Sequence, residues 1–89
     1  MTTKELIERF VAGGTEGKAS GGRLYIDGYK LINYGTCIAE RHSMFLLNTS
    51  KYSPTTSKHQ NYIRRYLDDC GMPYITIDEI KQGDKDLIL

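Results

Sequence analysis

The run Lys51-Tyr52-Ser53-Pro54-Thr55-Thr56-Ser57-Lys58-His59-Gln60 gathers four hydroxyl residues (Ser53, Thr55, Thr56, Ser57), two lysines, an imidazole and an amide. Just beyond it Tyr62, Ile63, Tyr66, Leu67 and Cys70 recur at helical spacing, so the polar run opens an amphipathic helix. A helix start needs one cap, contributing ~1 kcal/mol. The surplus is what can do chemistry. Hydroxyls and free first-turn amides at a helix start attract anions, and the helix dipole adds to them. Lys51, Lys58, Arg64 and Arg65 supply positive charge, and Tyr52, Tyr62 or Tyr34 offers a ring for stacking. The pattern nominates Lys51, Tyr52, Thr55, Thr56, Lys58, His59, Arg64 and Arg65 as binding residues for a phosphate, nucleotide or carboxylate. The plainer account is that Pro54 fixes the chain's approach, one hydroxyl caps, and the others are solvated. Ser57 and Gln60 have the spacing of a capping box, with the helix starting at Ser57 or Lys58.

His59 lies three residues before Tyr62 and four before Ile63, at the edge of the buried face. It reads as a hydrogen-bonded core-edge residue. The sharper reading is a general base acting on Ser53 or Ser57, but that chemistry also requires an orienting acid and an oxyanion site. The sequence offers no Gly-x-Ser-x-Gly, and Asp27, Glu40 and Asp78 converge only if the fold brings them together. A small hydrolase is therefore the lesser alternative to a protein with no catalytic residue. His42, alone in a tight turn, reads as solvated.

The elements that position these groups fit one domain of 89 residues. Its net charge of +1 excludes a generally basic nucleic-acid coat. No apolar run reaches the ~20 residues of a membrane span, and no signal peptide is evident. A cytoplasmic location, in a bacterial host cell, is the default expectation. Cys37 and Cys70 are too few and too far apart for a zinc site, so both read as small buried residues, with no metal or cofactor.

Thr2 and Glu5 form a capping box ahead of Leu6, Ile7, Phe10 and Val11, which predicts a helix over 1–13 ended by Gly13-Gly14. Residues 14–22 read as a flexible loop. A sheet-plus-helix body spans 23–78, and 79–89 form a tail. Within the body Asp27-Gly28 predicts a hairpin turn pairing Ile26 with Tyr29 and Leu24 with Leu31. Asn33-Tyr34-Gly35 bends the chain, Thr36 to Arg41 and Met44 to Asn48 read as strands, and Gly71 stops the second helix. Tyr74 to Asp78 reads as a last strand. The fold class is α+β: an antiparallel sheet of four to five strands covered by the second helix, with the N-terminal helix at an edge or on a partner. The apolar end Leu87-Ile88-Leu89 docks on its own core or buries itself in a homodimer.

Gly22-Arg23-Leu24-Tyr25-Ile26-Asp27-Gly28, Leu31-Ile32-Asn33-Tyr34-Gly35-Thr36, Ile38-Ala39, Leu47-Asn48 and the run Lys51 to Gln60 together carry a resemblance. They resemble a domain of small bacteriophage and mobile-element proteins with the pattern Tyr-Ser-x-Thr-Thr-Ser-x-His-Gln. The likeness covers Gly22 to Leu67 and departs at Leu31-Ile32-Asn33, where the family has Leu-Tyr-Ser. It implies a phage or mobile-element setting and a small sheet-plus-helix domain, and carries over no catalytic residue. The expected function is non-catalytic binding of a host or phage protein, such as a defence or nucleic-acid-processing enzyme, to modulate or inhibit it. Near-neutral charge and seven tyrosines fit a protein partner. The alternative is direct nucleic-acid binding through Lys51, Lys58, Arg64 and Arg65.

Overall fold

The computed structural model describes residues 1–87. Helix α1 (Thr3–Val11) leads to β1 (Glu16–Lys18), β2 (Leu24–Asp27), β3 (Lys30–Asn33), β4 (Thr36–Arg41) and β5 (Phe45–Asn48). Helix α2 (Pro54–Asp69) and β6 (Tyr74–Ile77) complete the fold. The strands lie side by side in chain order in one sheet. The fold is α+β as expected, but the sheet has six strands and is mixed. Pairs from β1 to β5 are antiparallel, whereas β5 and β6 are parallel. The reason is α2: its 16 residues carry the chain back along roughly 24 Å, so β6 runs in the direction of β5. Among the described residues no helix is long and apolar enough to cross a membrane.

Strand β1 falls inside the segment expected to be a flexible loop. Its order comes from backbone pairing, Glu16 with Asp27 and Lys18 with Tyr25, and from Arg9, whose Nε donates to Glu16 O at 2.9 Å. Gly17 sits so near α1 that an added Cβ would lie 3.1 Å from Leu6. A strand chosen for close approach carries no side-chain periodicity to read.

The β2–β3 hairpin forms, but its turn is Gly28-Tyr29, and Ile26 pairs with Leu31 while Leu24 pairs with Asn33. Gly28 has φ 66°, as the first central residue of a type II′ turn requires. The slip moves the partner of Leu31 by two residues, and a two-residue slip keeps every side chain on its expected face. The bend expected at Asn33-Tyr34-Gly35 is a tight turn at Tyr34-Gly35. Both residues have positive φ, 51° and 76°, the signature of a type I′ hairpin.

The two helices share one face of the sheet, which corrects the expectation of α1 at an edge or on a partner. Leu6, Ile7 and Phe10 of α1 and Ile63 and Leu67 of α2 are buried with Leu24, Ile26, Leu31, Ile38, Ala39 and Leu47. Thr2 caps α1 through the predicted box. Arg41 holds the other end, with Nη1 donating to Phe10 O at 2.7 Å and Gly14 O at 3.0 Å.

The opposite face carries a second core of Ile32, Cys37 and Leu87, flanked by Tyr25, Leu46, Ile77 and Ile80. The tail therefore docks on its own sheet through Leu87, which is 1% exposed. Ile88 and Leu89, the rest of the predicted apolar end, lie outside the described residues. Gly83 N donates to Thr36 Oγ1 and Cys37 N to Asp84 O, both at 2.7 Å, and Leu87 N to Glu40 Oε2 at 2.6 Å. Lys30 pairs with Asp86 at the surface.

Both cysteines are free, but only Cys37 is buried; Cys70, the C-cap residue of α2, is exposed, contrary to the sequence expectation. Burial, reinforced by the Glu40 carboxylate, pushes the Cys37 thiol up to about 12. Under native conditions a thiol reagent should therefore label one cysteine quickly, Cys70. Leu87→Ala should lower stability by about 2–3 kcal/mol in urea unfolding and speed Cys37 labelling by at least about tenfold through easier opening of the tail. Rapid labelling of both thiols in the intact chain would show that the tail does not cover this face.

Candidate functional site

Helix α2 begins four residues earlier than the Ser57–Gln60 capping box predicted. Pro54 takes the first helical position, where its fixed φ fits and its missing N–H costs nothing. Ser53 thereby becomes the cap, accepting from Thr56 N at 3.2 Å. Ser57 N donates to Ser53 O within the helix, so the Ser57–Gln60 box does not form. Gln60 instead reaches out of the helix, donating from Nε2 to Asn48 O at 2.7 Å and Ser50 O at 2.9 Å.

Much of the polar surplus is structural wiring. Asn48 donates to Cys37 O and to the Tyr52 hydroxyl, each at 3.0 Å. Tyr52 in turn donates to Ile80 O at 2.5 Å, and Ser50 Oγ accepts from Ile80 N at 2.9 Å. These bonds tie the β5–α2 connection to the segment after β6. Tyr52 and Thr56 thus have their hydroxyls engaged internally, and Thr56 is buried.

The other six nominated residues divide among three recesses around α2. Lys58 and Arg65 line a groove of about 940 Å³ between α1 and α2, together with Lys4, Glu8, Tyr62 and Tyr66. Lys51 and Arg64 border a smaller recess of about 170 Å³, and Arg64 also contacts Asp68 at 3.4 Å. Thr55 and His59 line a third, of about 450 Å³, with Thr3, Arg23, Asn33 and Tyr34. A helix turns ~100° per residue, so one sequence run fans over separate faces. Sequence reading found the α2 half of each recess. It missed Lys4, Glu8 and Thr3, because nothing in the sequence places α1 beside α2, and it read Asn33 only as part of a bend while offering the Tyr34 ring for stacking.

His59 is half-buried, and burial lowers its pKa below the usual 6.5, with the Lys58 charge acting in the same direction. Its Nδ1 has no hydrogen-bond partner among the described residues, so the edge hydrogen bond expected of it at that nitrogen is missing. Ser53, one of the two candidate nucleophiles, is occupied as the cap. His42, expected to be merely solvated, places Nε2 2.8 Å from Glu40 Oε1, a carboxylate with no exposure. Among the described residues no group of three or more His, Cys, Asp or Glu side chains is arranged to hold a metal ion. No family model, curated protein or solved structure matches the chain.

The lowered His59 pKa fixes the sign of a pH effect. As pH falls below 6.5 the unfolded chain takes up this proton before the folded chain does, so His59 makes stability fall through that window. Urea unfolding should show a larger loss between pH 7.5 and 5.5 for the native sequence than for His59→Gln. The His59 ring should titrate below 6.5 by NMR. Equal losses in the two proteins, with a midpoint at or above 6.5, would show that the ring is not desolvated.

Proposed function

We propose that this chain is a non-catalytic binding protein that takes a segment of a partner protein into the α1–α2 groove. The groove carries the reading: at about 940 Å³ it is the largest of the recesses, and two tyrosines form part of its wall. Tyr62 is 36% exposed, and tyrosine offers contact area with a polar tip at low entropic cost. Lys4, Lys58 and Arg65 face the same groove against Glu8 and Asp69. That balance favours a segment with a carboxylate beside an apolar side chain, and lacks the unbroken positive stripe that a phosphate backbone needs.

The likeness of the Lys51 to Gln60 run to phage and mobile-element domains supplies the setting of the proposal. The partner is a host or phage protein, such as a defence or nucleic-acid-processing enzyme, and its activity is modulated or inhibited by occupation of a surface. Direct nucleic-acid binding through Lys51, Lys58, Arg64 and Arg65 is the competing reading. It is weakened by Glu8 and Asp69, which break up the positive surface of the groove that holds Lys58 and Arg65, while Lys51 and Arg64 lie in an adjoining recess.

Peptides selected from a random library against the protein should be enriched in Asp or Glu close to an aromatic or aliphatic residue. Tyr62→Ala and Arg65→Glu should each weaken such a peptide by about tenfold or more, with melting temperatures within a few degrees of the parent. A panel of labelled DNA and RNA oligonucleotides should not bind at low salt. Steeply salt-dependent oligonucleotide binding, with no acidic bias among the peptides, would replace this reading by the nucleic-acid one.

A further inference from the structure

The recess lined by Thr55 and His59 has a feature the groove lacks. Among the described residues two buried side-chain polar atoms have no hydrogen-bond partner, Asn33 Oδ1 and His59 Nδ1, and both residues line this one recess. Asn33 is 1% exposed. Its Nδ2 donates to Arg23 O at 3.2 Å, which assigns the amide orientation and leaves Oδ1 as a pure acceptor. A buried polar atom without a partner loses its hydration with nothing in return. Two at one place, in a chain whose other polar residues are closely wired, call for an explanation from outside the chain.

The surroundings say what chemistry would satisfy them. The recess contains the first helical residue of α1, Thr3, and the second of α2, Thr55, so the positive ends of two helix dipoles meet there. Arg23 is its one charged lining residue, and no carboxylate faces it. Tyr34, held outward by the type I′ turn, is 45% exposed, with the Arg23 guanidinium 5.5 Å from its ring centre. A volume of about 450 Å³ lies within the usual range of small-molecule sites, roughly 300–1,000 Å³.

We propose that this recess binds a small phosphate-bearing ligand that also carries an N–H or O–H donor, the chemistry of a nucleoside monophosphate with an exocyclic amine. The phosphate lies against Arg23 and the two helix starts. The donor reaches Asn33 Oδ1, and the planar part stacks on Tyr34. His59, kept neutral by its burial, takes either a donor or an acceptor from the ligand at Nδ1. Both unpartnered atoms are sealed from solvent in the free chain, so the exposed Arg23 and Tyr34 side chains must swing apart, onto the phosphate and the planar ring, to open them to the ligand. The site is independent of the α1–α2 groove.

The test is an NMR titration of the full chain with inorganic phosphate, adenosine and AMP. AMP at millimolar concentration should give saturable shifts at the Thr3, Tyr34 and Thr55 amides and at the His59 ring, and should bind at least about tenfold tighter than phosphate or adenosine. Arg23→Gln, at an exposed position, should weaken AMP by about tenfold without lowering the melting temperature. Asn33→Leu should abolish the preference for AMP over phosphate. Tyr62→Ala, in the groove, should change nothing. No saturable shift with any of the three probes would overturn the proposal. So would AMP shifts that Arg23→Gln leaves intact, or an Asn33→Leu protein that is more stable and binds AMP as before.

Discussion

One irregularity in β4 decides what each face of the sheet can hold. Leu31 pairs with Ala39 and Ile32 with Cys37, so Ile38 is an extra residue in the ladder. Strict alternation from Cys37 would put Ala39 on the tail side and Glu40 into the helix-side core. The bulge breaks that alternation. Ile38 and Ala39 both enter the helix-side core, Glu40 turns to the tail, and Arg41 turns to α1. The two charges then fasten opposite layers. Arg41 caps the carbonyl end of α1, where a cation suits the helix dipole. Glu40 accepts the Leu87 amide and contacts His42. Without the bulge each charge would face the wrong layer.

A sheet with both helices on one side needs another cover on the other, and the tail supplies it in few residues. Its docking is specified by hydrogen bonds more than by charge at the surface. The Lys30–Asp86 pair lies at the surface, where solvent screening leaves an ion pair little net effect. The bonds from Gly83, Cys37 and Leu87 instead fix which tail residue meets which strand residue. Burying Glu40 is unfavourable in itself and becomes tolerable because its oxygens are engaged. The same arrangement raises the Cys37 thiol pKa. Cys37 sits under Leu87 beside a carboxylate, and both conditions oppose a thiolate.

The legible parts of the sequence were those where side chains speak locally. The Thr2–Glu5 box, the stripes of α1 and α2, the C-terminal stop at Gly71 and the faces of Leu24, Ile26 and Leu31 could all be read. The hairpin register slipped because Asp27-Gly28 and Gly28-Tyr29 are both acceptable turns, and the faces survived because the slip was even. The start of α2 was misread because Ser57 and Gln60 have capping-box spacing, and only the Asn48 and Ser50 carbonyls reveal where Gln60 goes. Strand β1 is made of backbone contacts that leave no pattern. The bulge at Ile38 is invisible because Thr36 to Ala39, the residues around it, are all apolar or small and show no alternation.

The same division runs through the functional surface. Residues on α2 could be nominated from its sequence, but a site needs a second wall, and α1 is that wall twice over. Lys4 and Glu8 close the large groove against Lys58, Tyr62 and Arg65, while Thr3 closes the smaller recess against Thr55, His59 and Asn33. Both therefore depend on where α1 lies, which is set by its apolar stripe, by Arg41 at its end and by the close approach of Gly17. The bulge that aims Arg41 is thus upstream of both recesses. Polar residues crowded at the start of α2 acquire distinct roles only because a helix from the other end of the chain is pinned beside them.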